Sequence, residues 1–203
     1  MSLERDDLSR VGGMLRTREA RVLTWSLGAR LGFFAIFLVL LLLHLAGLIT
    51  PGIVAETDID AIASLSILAV ASCIISLGCV LAKRERHLLA VGIGSVLLDL
   101  LMLTLLPLIR YKTMHLPDGS PAFLMKNELV TLGMVMMVVN SLTLRPMYPA
   151  MMAAGVIAIH LAIMQWVLGD PRVTVTSQFS EHFYTSAVNP GIFVVRMVIL
   201  AMV

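Results

Sequence analysis

Four side chains in this sequence are out of keeping with their neighbours. Asp99, His160 and Arg196 each stand inside a run of apolar residues, and the amide of Asn140 lies near the end of another. In hydrocarbon a charged group at mid-depth costs about 2.5–3.5 kcal/mol on the most lenient scale, so such groups pair with one another or line a functional path. No cation stands one helical turn from Asp99 in sequence, so its partner must come from another element, and Arg196 or His160 is the expected one. Three kinds of chemistry fit this set: a structural clasp, a site that senses a ligand or a proton, and a transport pathway. His44, alone near the end of the first apolar run, reads as a satisfied neutral imidazole. Lys126 and Glu128 read as loop or snorkelling residues.

Other chemistry is not written here. The phosphate-binding, zinc-protease and nucleophile-elbow signatures and the Cys-x-x-Cys pair are all missing, so no catalytic residue and no metal site is assigned. Cys73 and Cys79 fall within one apolar run and read as small packing residues rather than a disulfide or redox pair. The methionines, with Met134, Met136 and Met137 close together and Met151 beside Met152, suit flexible gap-filling better than copper ligation.

The elements that must position these groups follow from composition. Of 203 residues, 59% are hydrophobic and 14% charged, with a mean hydropathy of +0.94. Soluble domains run nearer 45–50% apolar and 25% charged. A soluble enzyme, a nucleic-acid binder and a disordered tail are thereby excluded. The apolar residues form runs at 31–50, 61–82, 88–109, 127–144, 147–168 and 187–203, most of them about the length that spans a bilayer. With no water to satisfy backbone groups, such runs must be helices. The expected fold is an all-α polytopic membrane protein with six transmembrane helices behind an Arg-rich lead, residues 1–30.

Orientation comes from Lys and Arg. The lead carries Arg5, Arg10, Arg16, Arg18, Arg21 and Arg30; the second-to-third loop has Lys83, Arg84 and Arg86, and the fourth-to-fifth has Arg145. The opposite side has only Arg110, Lys112, Lys126 and Arg172. The N-terminus is therefore expected in the cytoplasm, in a multi-pass protein of the cell (inner or plasma) membrane, with no signal peptide. Within the lead, Leu8, Val11, Leu15, Val22 and Trp25 share a helical face, which fits an interfacial helix, although Gly12-Gly13 interrupts it and the arginines alone would serve as a topology signal. The sixth run starts or kinks at Pro190-Gly191 and is too short to cross, which suggests a truncated last helix and a downstream cytoplasmic domain.

Two small-residue stripes are the packing signal. Ala150, Ala154, Ala158 and Ala162 recur every fourth residue, and Ala69, Ser72, Cys73, Ser76 and Cys79 share a face of the second run. Such stripes let helix backbones approach within one chain or between two.

The stretch Asn140-Ser141-Leu142-Thr143-Leu144-Arg145-Pro146-Met147-Tyr148-Pro149-Ala150 resembles the junction of the fourth and fifth helices in the six-helix membrane anchors of bacterial class III adenylate cyclases. The plan of Arg-rich lead and three hairpins is similar as well. The resemblance implies a membrane anchor and sensor that acts as a homodimer and passes helix rearrangement to a cytoplasmic catalytic pair. It implies no cofactor in this chain; Mg or Mn and ATP would belong to the catalytic domain. The expected partners are the lipid bilayer, a second copy and a small lipophilic ligand, with no nucleic acid. Two other readings stay open: a small proton-linked transporter or channel, and the sensor of another output such as a histidine kinase or diguanylate cyclase.

Overall fold

The computed structural model describes residues 2–49, 57–113, 120–126, 129–184 and 187–202. Eight helices hold most of them: α1 (Ser2–Leu45), α2 (Asp58–Lys83), α3 (Leu88–Thr113), α4 (Phe123–Lys126), α5 (Leu129–Ser141), α6 (Met147–Leu168), α7 (Phe179–Tyr184) and α8 (Pro190–Met202). No strand occurs among the described residues beyond an isolated parallel bridge between Val175 and Val188. The protein is all-helical, as composition requires. Gly12–Leu45, α2, α3 and α6 are long and apolar enough to cross a membrane. The fourth and sixth runs form shorter apolar helices of 13 residues each, α5 and α8.

The first run departs from its expected limits. α1 is one helix of 44 residues that passes through Gly12-Gly13 without a break. It ends at Leu45, ahead of the expected Thr50, because Gly47 adopts φ +71° and closes the last turn. The N–H of Leu48 then donates to the carbonyl of Leu43 and that of Gly47 to His44, both at 2.9 Å, which satisfies carbonyls the helix would leave bare. At the same end of the bundle, α2 starts on Thr57, whose hydroxyl accepts from the N–H of Asp60 at 3.1 Å.

α3 is the shared wall. One core joins α1, α2 and α3 through residues such as Leu27, Phe34, Leu68, Ile75 and Leu98; a second joins α3, α5, α6 and α8 through Val96, Met137, Met152, Val156 and Phe193. Two glycines set the α3–α6 distance. A Cβ on Gly92 would lie 2.2 Å from the Tyr148 ring, and one on Gly155 would lie 2.4 Å from Leu100. The alanine stripe of α6 is not part of this contact: Ala150, Ala154, Ala158 and Ala162 are all exposed in the single chain, and α6 buries Tyr148, Met152, Val156, His160, Ile163 and Val167 instead. In α2 likewise the buried face is Ala61, Leu68, Ala71, Ile75 and Ala82. Ser72 and Ser76 bond back to the carbonyls of Leu68 and Ser72, each at 2.7 Å, which leaves their side chains content on the outer face.

Candidate functional site

Asp99 lies eleven residues into α3, roughly 16 Å from the start of that helix, and is 1% exposed. The cation that meets it is Arg30 of α1, neither Arg196 nor His160. Arg30 Nε donates to Asp99 Oδ2 at 2.9 Å and to Oδ1 at 3.1 Å, and Nη2 lies 2.9 Å from Oδ2. The guanidinium is also 1% exposed. Its other two nitrogens are used as well: Nη1 donates to Ser26 Oγ at 2.6 Å, and Nη2 to Asn140 Oδ1 at 2.8 Å. Asn140 Nδ2 closes the ring by donating to Asp99 Oδ2 at 3.2 Å and to the Met136 carbonyl at 2.8 Å. Ser26 Oγ passes its own proton to the Val139 carbonyl at 3.1 Å.

The result is a buried, closed network joining α1, α3 and α5. The planar guanidinium suits it, because a fork of five N–H donors can serve a carboxylate, an amide and a hydroxyl in one plane. Every heteroatom of the Arg30 side chain has an acceptor within this set. The arrangement can hold three helices in register; it leaves no lone carboxylate to pass a proton.

The other expected members sit elsewhere. His160 is fully buried on α6, its Nδ1 2.7 Å from the Val156 carbonyl and its ring 5.2 Å from that of Phe193 on α8. A carbonyl can only accept, so Nδ1 carries the proton, and buried Nε2 has no partner among the described residues. Arg196 is half-buried on α8 and belongs to no part of the Asp99 network. Asn140 is a true member of it.

A second set of contacts ties α1 to the turns at the Arg-rich end. Glu19 receives Arg145 through Nη2 at 3.0 Å and through Nε. Two residues earlier, Thr17 Oγ1 donates to the Glu85 carboxylate at 2.9 Å, and Arg16 Nη2 to the Glu85 carbonyl at 2.8 Å. The α2–α3 and α5–α6 turns therefore lie at the same end of the bundle. At the opposite end, Arg172 donates to Asp170 through Nη2 at 2.6 Å and Nε at 2.9 Å, and this holds the Asp170 carboxyl down at about 2.

Arg30 and Ser26 are the functional residues that the sequence reading missed. Arg30 reads as the last charge of a cytoplasmic lead because a long apolar run follows it. Val22 to Ala29 holds no charge either, however, so the arginine sits within apolar sequence on both sides. That is the signal that marks it as an intramembrane group.

Comparison with known proteins returns nothing: no family model, no curated protein sequence and no solved structure matches this chain.

Proposed function

We propose that the chain is the six-helix membrane domain of a signalling protein, with the N-terminus in the cytoplasm of a cell-membrane protein. In this reading it anchors and regulates a cytoplasmic catalytic pair of the class III adenylate cyclase kind, to which the junction at Asn140–Ala150 is similar. One observation carries the reading: α1 is a single rod of 44 residues, roughly 66 Å long, gripped at mid-depth by Asp99 and Asn140 and at the Arg-rich end by Glu85 and Arg145. A rod fixed at two depths moves as a unit, so a change among the helices displaces its cytoplasmic end. A lipophilic ligand that favours one arrangement shifts the population by its differential affinity. ATP and Mg or Mn belong to the catalytic domain in this scheme.

The test joins residue 203 to a class III cyclase domain and follows cyclic AMP in membranes. Breaking the grip with Arg30→Ala should change the rate at least severalfold at equal membrane content of the fusion. Equal rates, with proton flux in proteoliposomes that depends on Asp99, would replace the signalling reading with the transport one. The closed hydrogen bonding of Asp99 favours the first.

A further inference from the structure

Where the lead of α1 meets the α2–α3 turn, the surface opens into a groove of about 690 Å³. Its mouth carries Arg21 and Lys83, and its floor is Thr24, Gly28 and Ala29. Neither cation takes part in a salt bridge among the described residues. The acid at the mouth, Glu85, is already held by Thr17 through its carboxylate and by Arg16 through its carbonyl. The lining therefore sets two cations against one carboxylate, which accepts from Thr17, and leaves a net charge of +1.

The rest of the groove is apolar and graded by depth. Trp25 stands beside it with 76% of its surface exposed and offers a broad apolar ring to a neighbouring chain. One turn deeper, Gly28 has no other protein atom within 4 Å of where a Cβ would sit, and Gly32 on the next turn is equally open. The missing side chain of Gly28 keeps the inner end of the groove open as a short channel along α1.

We infer that this groove binds one anionic phospholipid of the leaflet at the Arg-rich face. Arg21 and Lys83 take the phosphodiester, and an acyl chain lies against Trp25 and fills the channel over Gly28. Charge complementarity chooses this occupant over a neutral lipid, because juxtamembrane cations attract anionic headgroups. The inference needs only that α2 and α3 cross the bilayer, and it stands whatever output the domain controls. Because the site touches α1 between its two grips, an occupied groove would bear on the same rod.

The full chain, delipidated in detergent, is offered phosphatidylglycerol or phosphatidylcholine of the same chain length and examined by native mass spectrometry. The expected result is one tightly retained phosphatidylglycerol and no such retention of phosphatidylcholine. Arg21→Gln with Lys83→Gln should weaken that retention about tenfold or more. Gly28→Leu should expel the lipid by filling the channel, and the open space around Gly28 means that the fold accepts it. Thermal unfolding of each variant checks that the protein stays intact. Equal retention of the two lipids, or unaltered retention in both variants, overturns the assignment. So does displacement by inorganic phosphate alone, which would mark a free-anion site, and so does a doubled mass lost in Gly28→Leu, which would give the groove to a second copy.

Discussion

A single guanidinium at position 30 serves three helices. Its worth depends on what is left behind when it goes. A buried ion pair is often no more stabilising than well-packed apolar residues, yet removing one partner strands the other charge. Asp99→Ala and Arg30→Ala should each therefore cost about 3–5 kcal/mol, while Asp99→Leu with Arg30→Met should recover much of that loss. Thermal unfolding of the singles and the double in detergent measures it, and additive costs would show that the two groups are not coupled. His160 provides the contrast. Its buried Nε2 has no partner among the described residues, so His160→Phe removes an unsatisfied acceptor while keeping a ring against Phe193. That change should stay within about 1 kcal/mol of wild type in the same assay. A collapse of stability would mean that the imidazole has a bonding role the fold depends on. Asp99 and Asn140 were legible as intramembrane polar groups, and so was the need for a cation from another helix. The identity of that cation was harder to read: the uncharged stretch from Val22 to Ala29 marks Arg30 as intramembrane, but nothing in the sequence says whether it turns to lipid or to Asp99. Only the three-dimensional placement of α3 beside α1 separates the two.

At the scale of elements, small residues are informative only with the face they lie on. The regular alanine stripe of α6 drew attention by its spacing, but the helix turns it outward and packs through larger residues aimed at α3 and α5. The close approach is made by isolated glycines, Gly92 and Gly155, that no four-residue period announces. Gly155→Ala should therefore cost about 1–3 kcal/mol, since its Cβ would meet Leu100 within contact distance. Ala158→Leu should change stability by less than about 0.5 kcal/mol, as surface substitutions do. The reverse order in a detergent unfolding series would show that the alanine face is the tightly packed one. α7 adds a pH dependence. Burial, and then the charges of Lys126 and Arg196, hold the His182 pKa below its ordinary 6.5, and its Nδ1 accepts the N–H of Asn189 at 3.1 Å. The unfolded chain then binds this proton more readily than the folded one, so stability falls as the pH drops through 6.5 toward the depressed folded value. Melting temperatures at pH 7.5 and 5.5 should show a larger drop in wild type than in His182→Gln. Equal drops would exclude His182 as the source.

For the whole molecule the open question is how many times the chain crosses. Four helices have the length, whereas α5 and α8 hold 13 residues each and cover roughly 20 Å against a core near 30 Å. Contacts at the Arg-rich end bear on this. Glu19 and Thr17 are half a turn apart on α1; the first holds Arg145 and the second Glu85, so the α5–α6 turn lies level with the α2–α3 turn. Tyr148, at the start of α6, lies against Gly92, near the start of α3. The chain thus reaches Arg145 from α3, whose far end lies at the opposite face, and α5 together with residues 142–146 has to make that passage. Asn140 stands level with Asp99 at mid-depth, and the residues after it run from there to the Arg-rich end, with Thr143 and Arg145 half-buried and Leu142 and Leu144 turned outward. A short helix continued by a turn, in which the N–H of Thr143 donates to the Asn140 carbonyl at 3.1 Å, carries the chain to that end. Reporters or cysteine-accessibility labels placed after Asp58, Lys83, Gly119, Arg145 and Asp170 should accordingly read out, in, out, in, out. An outward signal at Arg145 with an inward one at Lys83 would contradict the shared level of the two turns, and a uniformly reversed pattern would move the basic end of α1 and its lipid groove to the outer leaflet.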